Sequence, residues 1–180
     1  HSLFEIGSIN KTFTAIALAR MAAEGKVRLD QPVAELLPRG AVVPSRAGRL
    51  IRLVDLATHT SGLPRLPDNL EPRDLTDPYA DYDGARLLVF LAHYALPRDP
   101  GAQYEYSNLG VGLLGYALAS RTGVPYEQLV REQILRPLLT TPPGGPTGGP
   151  DARPEHTFDV VTGGPGPIRL LLDGQQVGAS

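Results

Sequence analysis

The chain has 180 residues, a formal net charge of -2, 42% hydrophobic residues and 20% charged ones, the composition of a single soluble globular unit large enough to bury a core. Its 15 Arg and 2 Lys form no basic run, which argues against nucleic acid as a partner. Cys is absent, which removes disulfides, thiol catalysis and Cys-ligated metals, and no apolar run approaches the ~18 residues of a membrane span.

Taken in chain order, a first helix is predicted from Ser8 to about Glu24, stopped by Gly25. Ile9, Phe13, Ile16, Ala17 and Met21 recur at helical spacing, and Ala15, Ala19, Ala22 and Ala23 fill much of the remainder. This helix is therefore expected to be buried on most sides. Shorter helices are predicted at Pro32–Leu37, Ile51–Thr58 and Asp83–Leu96, the last closed by Pro97. Another runs from Leu109 to about Arg121 and is ended by Gly123. A final one has Pro125 in its first turn and stops before Pro137. The composition then changes: residues 141–180 hold 9 of the 20 Gly and 7 of the 18 Pro. Residues 140–156 read as a Pro/Gly-rich linker. Thr157–Val161 and Ile168–Leu172 read as a strand pair in a short β tail over 157–180. The predicted organisation is a helical core over 1–139, the linker and the tail.

Ser8-Ile9-Asn10-Lys11 is an S-x-x-K pattern. On a helical turn, residues three apart share a face with their Cβ atoms about 5–6 Å apart. A hydroxyl at the helix start also lies where free N–H groups and the helix dipole favour a developing anion. Serine is a weak nucleophile without a nearby base. A lysine becomes a base by losing its proton, which burial favours and which arginine does not offer. In a chain with 15 Arg and 2 Lys, a lysine at this position points to chemistry. Tyr106-Ser107-Asn108 is the second pattern. In an extended stretch Tyr106 and Asn108 point the same way, offering a phenolic proton carrier and a two-sided amide.

These residues carry a family resemblance. Phe4-Glu5-Ile6-Gly7-Ser8-Ile9-Asn10-Lys11-Thr12-Phe13 resembles the nucleophile helix of class C-like serine β-lactamases, penicillin-binding proteins, D-alanyl-D-alanine carboxypeptidases and related esterases. The likeness continues in order through Gly25–Val33, through Leu56-Ala57-Thr58-His59-Thr60-Ser61-Gly62-Leu63-Pro64, through Pro100–Gly115 and on to Leu138. It implies an α+β fold of the β-lactamase/transpeptidase type, represented mainly by its helical part with much of the antiparallel sheet missing. It implies acylation of Ser8 by a β-lactam, ester or D-alanyl peptide carbonyl, with Lys11 and Tyr106 passing the proton and Asn108 orienting Lys11 and the substrate amide. The Ser8 N–H would supply half of an oxyanion hole. No metal or organic cofactor is implied, the partner is a small-molecule or peptide acyl substrate, and the family is often periplasmic or secreted.

The family's third motif, K-T-G or H-T-G, is absent from the 180 residues; the nearest triplet is Val161-Thr162-Gly163. The chain opens at His1 rather than Met and enters the nucleophile helix almost at once, so it reads as a fragment or processed product. Loss of one oxyanion donor costs roughly 3–4 kcal/mol in the barrier, so poor turnover or inactivity is expected. A non-catalytic truncated homologue acting as a binding module is the alternative. Gly110-Val111-Gly112-Leu113-Leu114-Gly115 matches G-x-G-x-x-G, but the segment after its helix reads as another helix rather than a strand. Close helix packing is the expected use of its glycines. The four His lack i, i+4 pairing, which argues against zinc, and His59 reads as a structural loop residue. The acidic stretch Asp68–Asp83 reads as a solvated loop over the site entrance.

Overall fold

A computed structural model describes residues 4–137 and two further strands at residues 158–161 and 169–172. The chain opens with β1 (Phe4–Glu5), turns through a single 3-10 turn at Gly7–Ile9 and enters α1 (Asn10–Ala23). A 3-10 helix at Val33–Leu36 and the hairpin β2 (Ser45–Arg46) and β3 (Arg49–Leu50) lead into α2 (Leu53–Ala57). Then come α3 (Gly84–His93), α4 (Asn108–Thr122) and α5 (Tyr126–Val130), which widens into π-helical turns over Arg131–Leu135. The strands β4 (Phe158–Val161) and β5 (Arg169–Leu172) follow.

α4 is the centre of the helical layer and packs on α1, α2, α5 and the Val33–Leu36 turn. Leu113, Leu114, Ala117 and Leu118 along it are essentially sealed from solvent. Its start is set by Ser107, whose buried Oγ accepts the Gly110 N–H at 2.8 Å and donates to the Pro64 carbonyl at 2.6 Å. Its end is set by Gly123 at φ 72, the left-handed position that glycine fills without strain. Two glycines of the G-x-G-x-x-G run serve packing, as expected. A Cβ on Gly110 would press on the Ser107 side chain at 3.1 Å, and one on Gly115 would press on the Tyr126 ring at 3.1 Å; Gly112 faces open space.

α1 departs from expectation. Among the described residues only Thr14, Ala17, Leu18 and Met21 are buried on it, while Ile16 is 41% exposed. The apolar character of its outer face comes largely from alanines, whose small surface makes exposure cheap, and the Arg20–Glu24 ion pair at 3.0 Å finishes that face. α3 also stops three residues short of the predicted Leu96. Tyr94 turns extended (φ -80, ψ 129) and stacks its ring on Phe90 at 4.9 Å, and Pro97 holds the residue before it away from helical angles.

The predicted tail strands form an antiparallel hairpin with Phe158 opposite Leu172. The sequence did not reveal that β5 also pairs with β1, Phe4 opposite Leu170, giving the sheet order β1-β5-β4. The linker over 140–156 and the Thr162-Gly163-Gly164 segment lie outside the described residues. The acidic stretch at 68–83 has no regular element; it is tied to α3 by Asn69, which donates to the Arg86 carbonyl at 2.9 Å and accepts from the Tyr82 hydroxyl at 3.0 Å. No helix among the described residues is long and apolar enough to cross a membrane.

α2 is short and depends on its first turn. The buried Asp55 carboxylate accepts the Arg52 N–H at 2.9 Å and both Nε and Nη2 of the Arg52 guanidinium, at 3.0 and 2.8 Å. A hydrogen bond to a charged group contributes about 1.5–3 kcal/mol net, less where the partner is exposed as the Arg52 side chain is. Asp55→Ala is therefore expected to lower unfolding stability by about 2–3 kcal/mol, read as a drop in the urea midpoint at unchanged slope. A loss below about 0.5 kcal/mol would remove Asp55 from the account of this helix.

Candidate active site

Ser8 lies in the 3-10 turn between β1 and α1, one residue before α1 proper, and Gly7 makes the entry at φ 48. Lys11 stands one turn further on, and its Nζ donates to Ser8 Oγ at 3.1 Å. From 98 residues away, Tyr106 brings its Oη to 2.6 Å from the same Ser8 Oγ. The hydroxyl thus sits between an ammonium and a phenol, and Ser8 is exposed enough for a ligand to reach it.

Tyr106 gets there because the strand-like segment before α4 is laced to the loop after α2. The Glu105 N–H donates to the His59 carbonyl at 2.7 Å, and the Asn108 and Leu109 N–H groups donate to the Arg65 carbonyl at 3.1 and 3.2 Å. The Ser107 N–H donates to His59 Nδ1 at 3.1 Å. On the ring itself, Lys11 Nζ lies 5.1 Å and Arg65 Cζ 5.3 Å from the phenol centroid, within the range of cation–π attraction. The His59 ring stacks at 4.6 Å with a 33° tilt.

The phenol is consequently easier to ionise than an ordinary tyrosine. Hydrogen bonding with Lys11 lowers it most, then hydrogen bonding with Ser8; partial burial raises it, and the charges of Lys11 and Arg65 lower it further. His59 is held below the ordinary imidazole range by burial first and by the Lys11 charge second. A neutral imidazole therefore faces the phenol.

Three of the four expected residues meet in one place. The fourth, Asn108, opens α4 beside Tyr106, but Lys11 gives its hydrogen bond to Ser8 rather than to Asn108. Asn108 Oδ1 is buried and has no hydrogen-bond partner among the described residues. Ser107, not Asn108, caps the helix, which leaves the amide free for another role. An orphaned buried acceptor costs about 1–3 kcal/mol, and a ligand N–H would relieve it. Sequence reasoning missed the two neighbours of the phenol, His59 and Arg65. The signal was present in Thr58-His59-Thr60-Ser61-Gly62-Leu63-Pro64-Arg65, where a histidine and an arginine flank a turn, but nothing local says that this turn faces Tyr106.

Comparison with known proteins finds relatives of the chain in sequence and in fold. The family model described as Beta-lactamase matches residues 1–175. The D-alanyl-D-alanine-carboxypeptidase/endopeptidase AmpH of Escherichia coli (strain K12) is 44% identical over 64 residues, covering 36% of this chain and 17% of that protein. A β-lactamase/D-alanine carboxypeptidase from Yersinia pestis, solved with citrate, superposes with a TM-score of 0.71 at 36% identity, over 76% of this chain and 39% of that one. A D-stereospecific amidohydrolase from Streptomyces sp. superposes with a TM-score of 0.63 at 31% identity, over 87% of this chain and 49% of that one. The chain therefore spans less than half the length of each of these relatives.

Proposed function

This chain belongs to the β-lactamase family and has its β-lactamase/transpeptidase-like fold, and from that premise we propose that Ser8 is an acyl-transfer nucleophile served by Tyr106 and Lys11. The observation that carries the reading is the pair of contacts on one oxygen, 2.6 Å to the phenol and 3.1 Å to the ammonium. Tyr106 acts as its phenolate, which the Lys11 ammonium stabilises; as Ser8 Oγ attacks a carbonyl carbon, its proton passes to the phenolate Oη, leaving a neutral phenol. The same proton then goes to the leaving nitrogen or oxygen as the tetrahedral adduct collapses to the Ser8 ester. Water reverses the sequence and releases the acid. The Ser8 N–H, which precedes the first bond of the 3-10 turn (Ile9 N–H to the Ile6 carbonyl at 3.0 Å), supplies one hydrogen bond to the oxyanion. Asn108 Oδ1 takes a substrate amide N–H.

The substrate class includes β-lactams, esters and D-alanyl peptides. The relatives named for D-alanyl-D-alanine, D-alanine and D-stereospecific amide cleavage support placing D-configured amides first. Slow turnover is part of the proposal for these 180 residues, because they carry no K-T-G or H-T-G triplet and hence no second oxyanion donor of that kind. Pre-steady-state kinetics with a p-nitrophenyl ester and with nitrocefin test it. The expected trace is a burst of about one chromophore per chain followed by a slow steady rate. A folded chain that gives no burst with either reagent would fit the non-catalytic homologue and end the acyl-enzyme reading.

A further inference from the structure

α2 ends in a paired-bond C-terminal motif. The Thr60 N–H donates to the Asp55 carbonyl at 2.8 Å and the His59 N–H to the Leu56 carbonyl at 3.4 Å, with His59 left-handed at φ 59. Glycine is the usual occupant of that position because a Cβ is disfavoured there. A histidine that accepts the strain is set apart by its ring, and the ring has specific work in reach. Its Nδ1 accepts the N–H of Ser107 at 3.1 Å, its face lies 4.6 Å from the Tyr106 ring, and its carbonyl takes the N–H of Glu105 at 2.7 Å. Three contacts from one residue thus bracket Tyr106 on both sides along the chain and on its face.

We propose that His59 is the positioning residue for Tyr106, a neutral imidazole with Nδ1 as acceptor that holds the phenol against Ser8. The inference rests on the acyl-transfer reading of Tyr106 and adds to it a built-in sensitivity to acid. A proton on Nδ1 would set a donor against the Ser107 N–H donor, break that hydrogen bond and place a third cation beside Lys11 and Arg65. The imidazole faces the Tyr104 ring, edge-on at 5.7 Å, and the Tyr106 ring at 4.6 Å; burial and the charge of Lys11 oppose its protonation. The neighbouring Glu105 carboxylate is paired with Arg98. Acid should therefore uncouple the site only below the ordinary imidazole range.

The test uses the full chain with His59→Gly, which keeps the left-handed turn without strain, and His59→Asn, which keeps the turn and restores an acceptor. First, nitrogen-15 NMR of the wild type should show His59 Nδ1 unprotonated and Nε2 protonated at pH 7.5 on the order expected of a neutral ring. Second, carbon-13 NMR of the Tyr106 ζ-carbon should show its phenol titrating closer to ordinary tyrosine in His59→Gly, with His59→Asn in between. Third, covalent labelling of Ser8 by a fluorophosphonate should slow by about 10–100-fold in His59→Gly, lose its acid limb, and recover in part in His59→Asn. A protonated Nδ1, or a Tyr106 titration that does not move in His59→Gly, would overturn the proposal. A wild type that shows the expected NMR behaviour but no Ser8 labelling would sink the acyl-transfer reading while leaving the hold of His59 on Tyr106 standing.

Discussion

Tyr106→Phe is expected to slow acylation of Ser8 by about 10²–10⁴-fold, the range for losing a positioned proton acceptor, with little change in fold stability. The substitution is selective because almost everything that holds the ring survives it. Phenylalanine keeps the stack on His59 and the positions of Lys11 and Arg65 over the ring, and the backbone bonds of residues 105–109 do not involve the hydroxyl. What is removed is the hydrogen bonding of the hydroxyl, the 2.6 Å contact to Ser8 Oγ and the bond shared with Lys11. The pH dependence gives a second, independent reading. A phenol held below its ordinary value delivers its base form as pH rises through that lowered value and loses it as pH falls. The wild-type acylation rate should therefore climb with pH on the alkaline side, and the Phe variant should lack that rise. A Phe variant that labels within about threefold of wild type, with the same profile, would remove Tyr106 from the proton path.

Lys11 carries the second large effect, and two substitutions separate its parts. Lys11→Ala should reduce the acylation rate by about 10²–10³-fold, in keeping with loss of one preorganised charge-bearing donor. It should also raise the Tyr106 phenol toward its ordinary value, since hydrogen bonding with Lys11 is the leading cause of the lowering. Lys11→Arg keeps the positive charge but cannot give up a proton and is broader than an ammonium. If Lys11 shares the proton transfer with Tyr106, arginine keeps the phenol low yet leaves acylation slow. Recovery of most of the rate in the arginine variant would reduce Lys11 to a fixed charge. Rate against pH for the three proteins, with circular dichroism to confirm that each is folded, decides between the two.

Much of the site is legible in the sequence because its signals are local. Ser8 and Lys11 are one turn apart, so helical spacing alone brings them together, and Gly25, Gly123 and Pro125 mark helix ends by restricting the backbone at single positions. What the sequence withholds is long-range. Tyr106 reaches Ser8 across 98 residues only because residues 105–109 bond to the His59 and Arg65 carbonyls, and a backbone carbonyl leaves no mark in a residue pattern. The role of His59 is hidden for the same reason, since its left-handed angle belongs to the chain path and its ring partner is 47 positions away on another element. The Asn108 side chain was expected on Lys11. Its actual freedom follows from Ser107 taking the cap, a competition between two neighbouring cap-forming residues that residue preferences alone do not resolve. α1 misled through composition: alanines score as apolar yet lose little by exposure.

The account stands on one chemical event, the formation of a covalent bond to Ser8 Oγ. It is tested most directly by treating the folded chain with a penicillin and with a fluorophosphonate, digesting it, and locating the added mass by tandem mass spectrometry. The expected result is a single adduct on Ser8 with each reagent, absent from Ser8→Ala and strongly slowed in Tyr106→Phe. An adduct on any other residue that persists in Ser8→Ala, or no adduct on a chain shown to be folded, would contradict it.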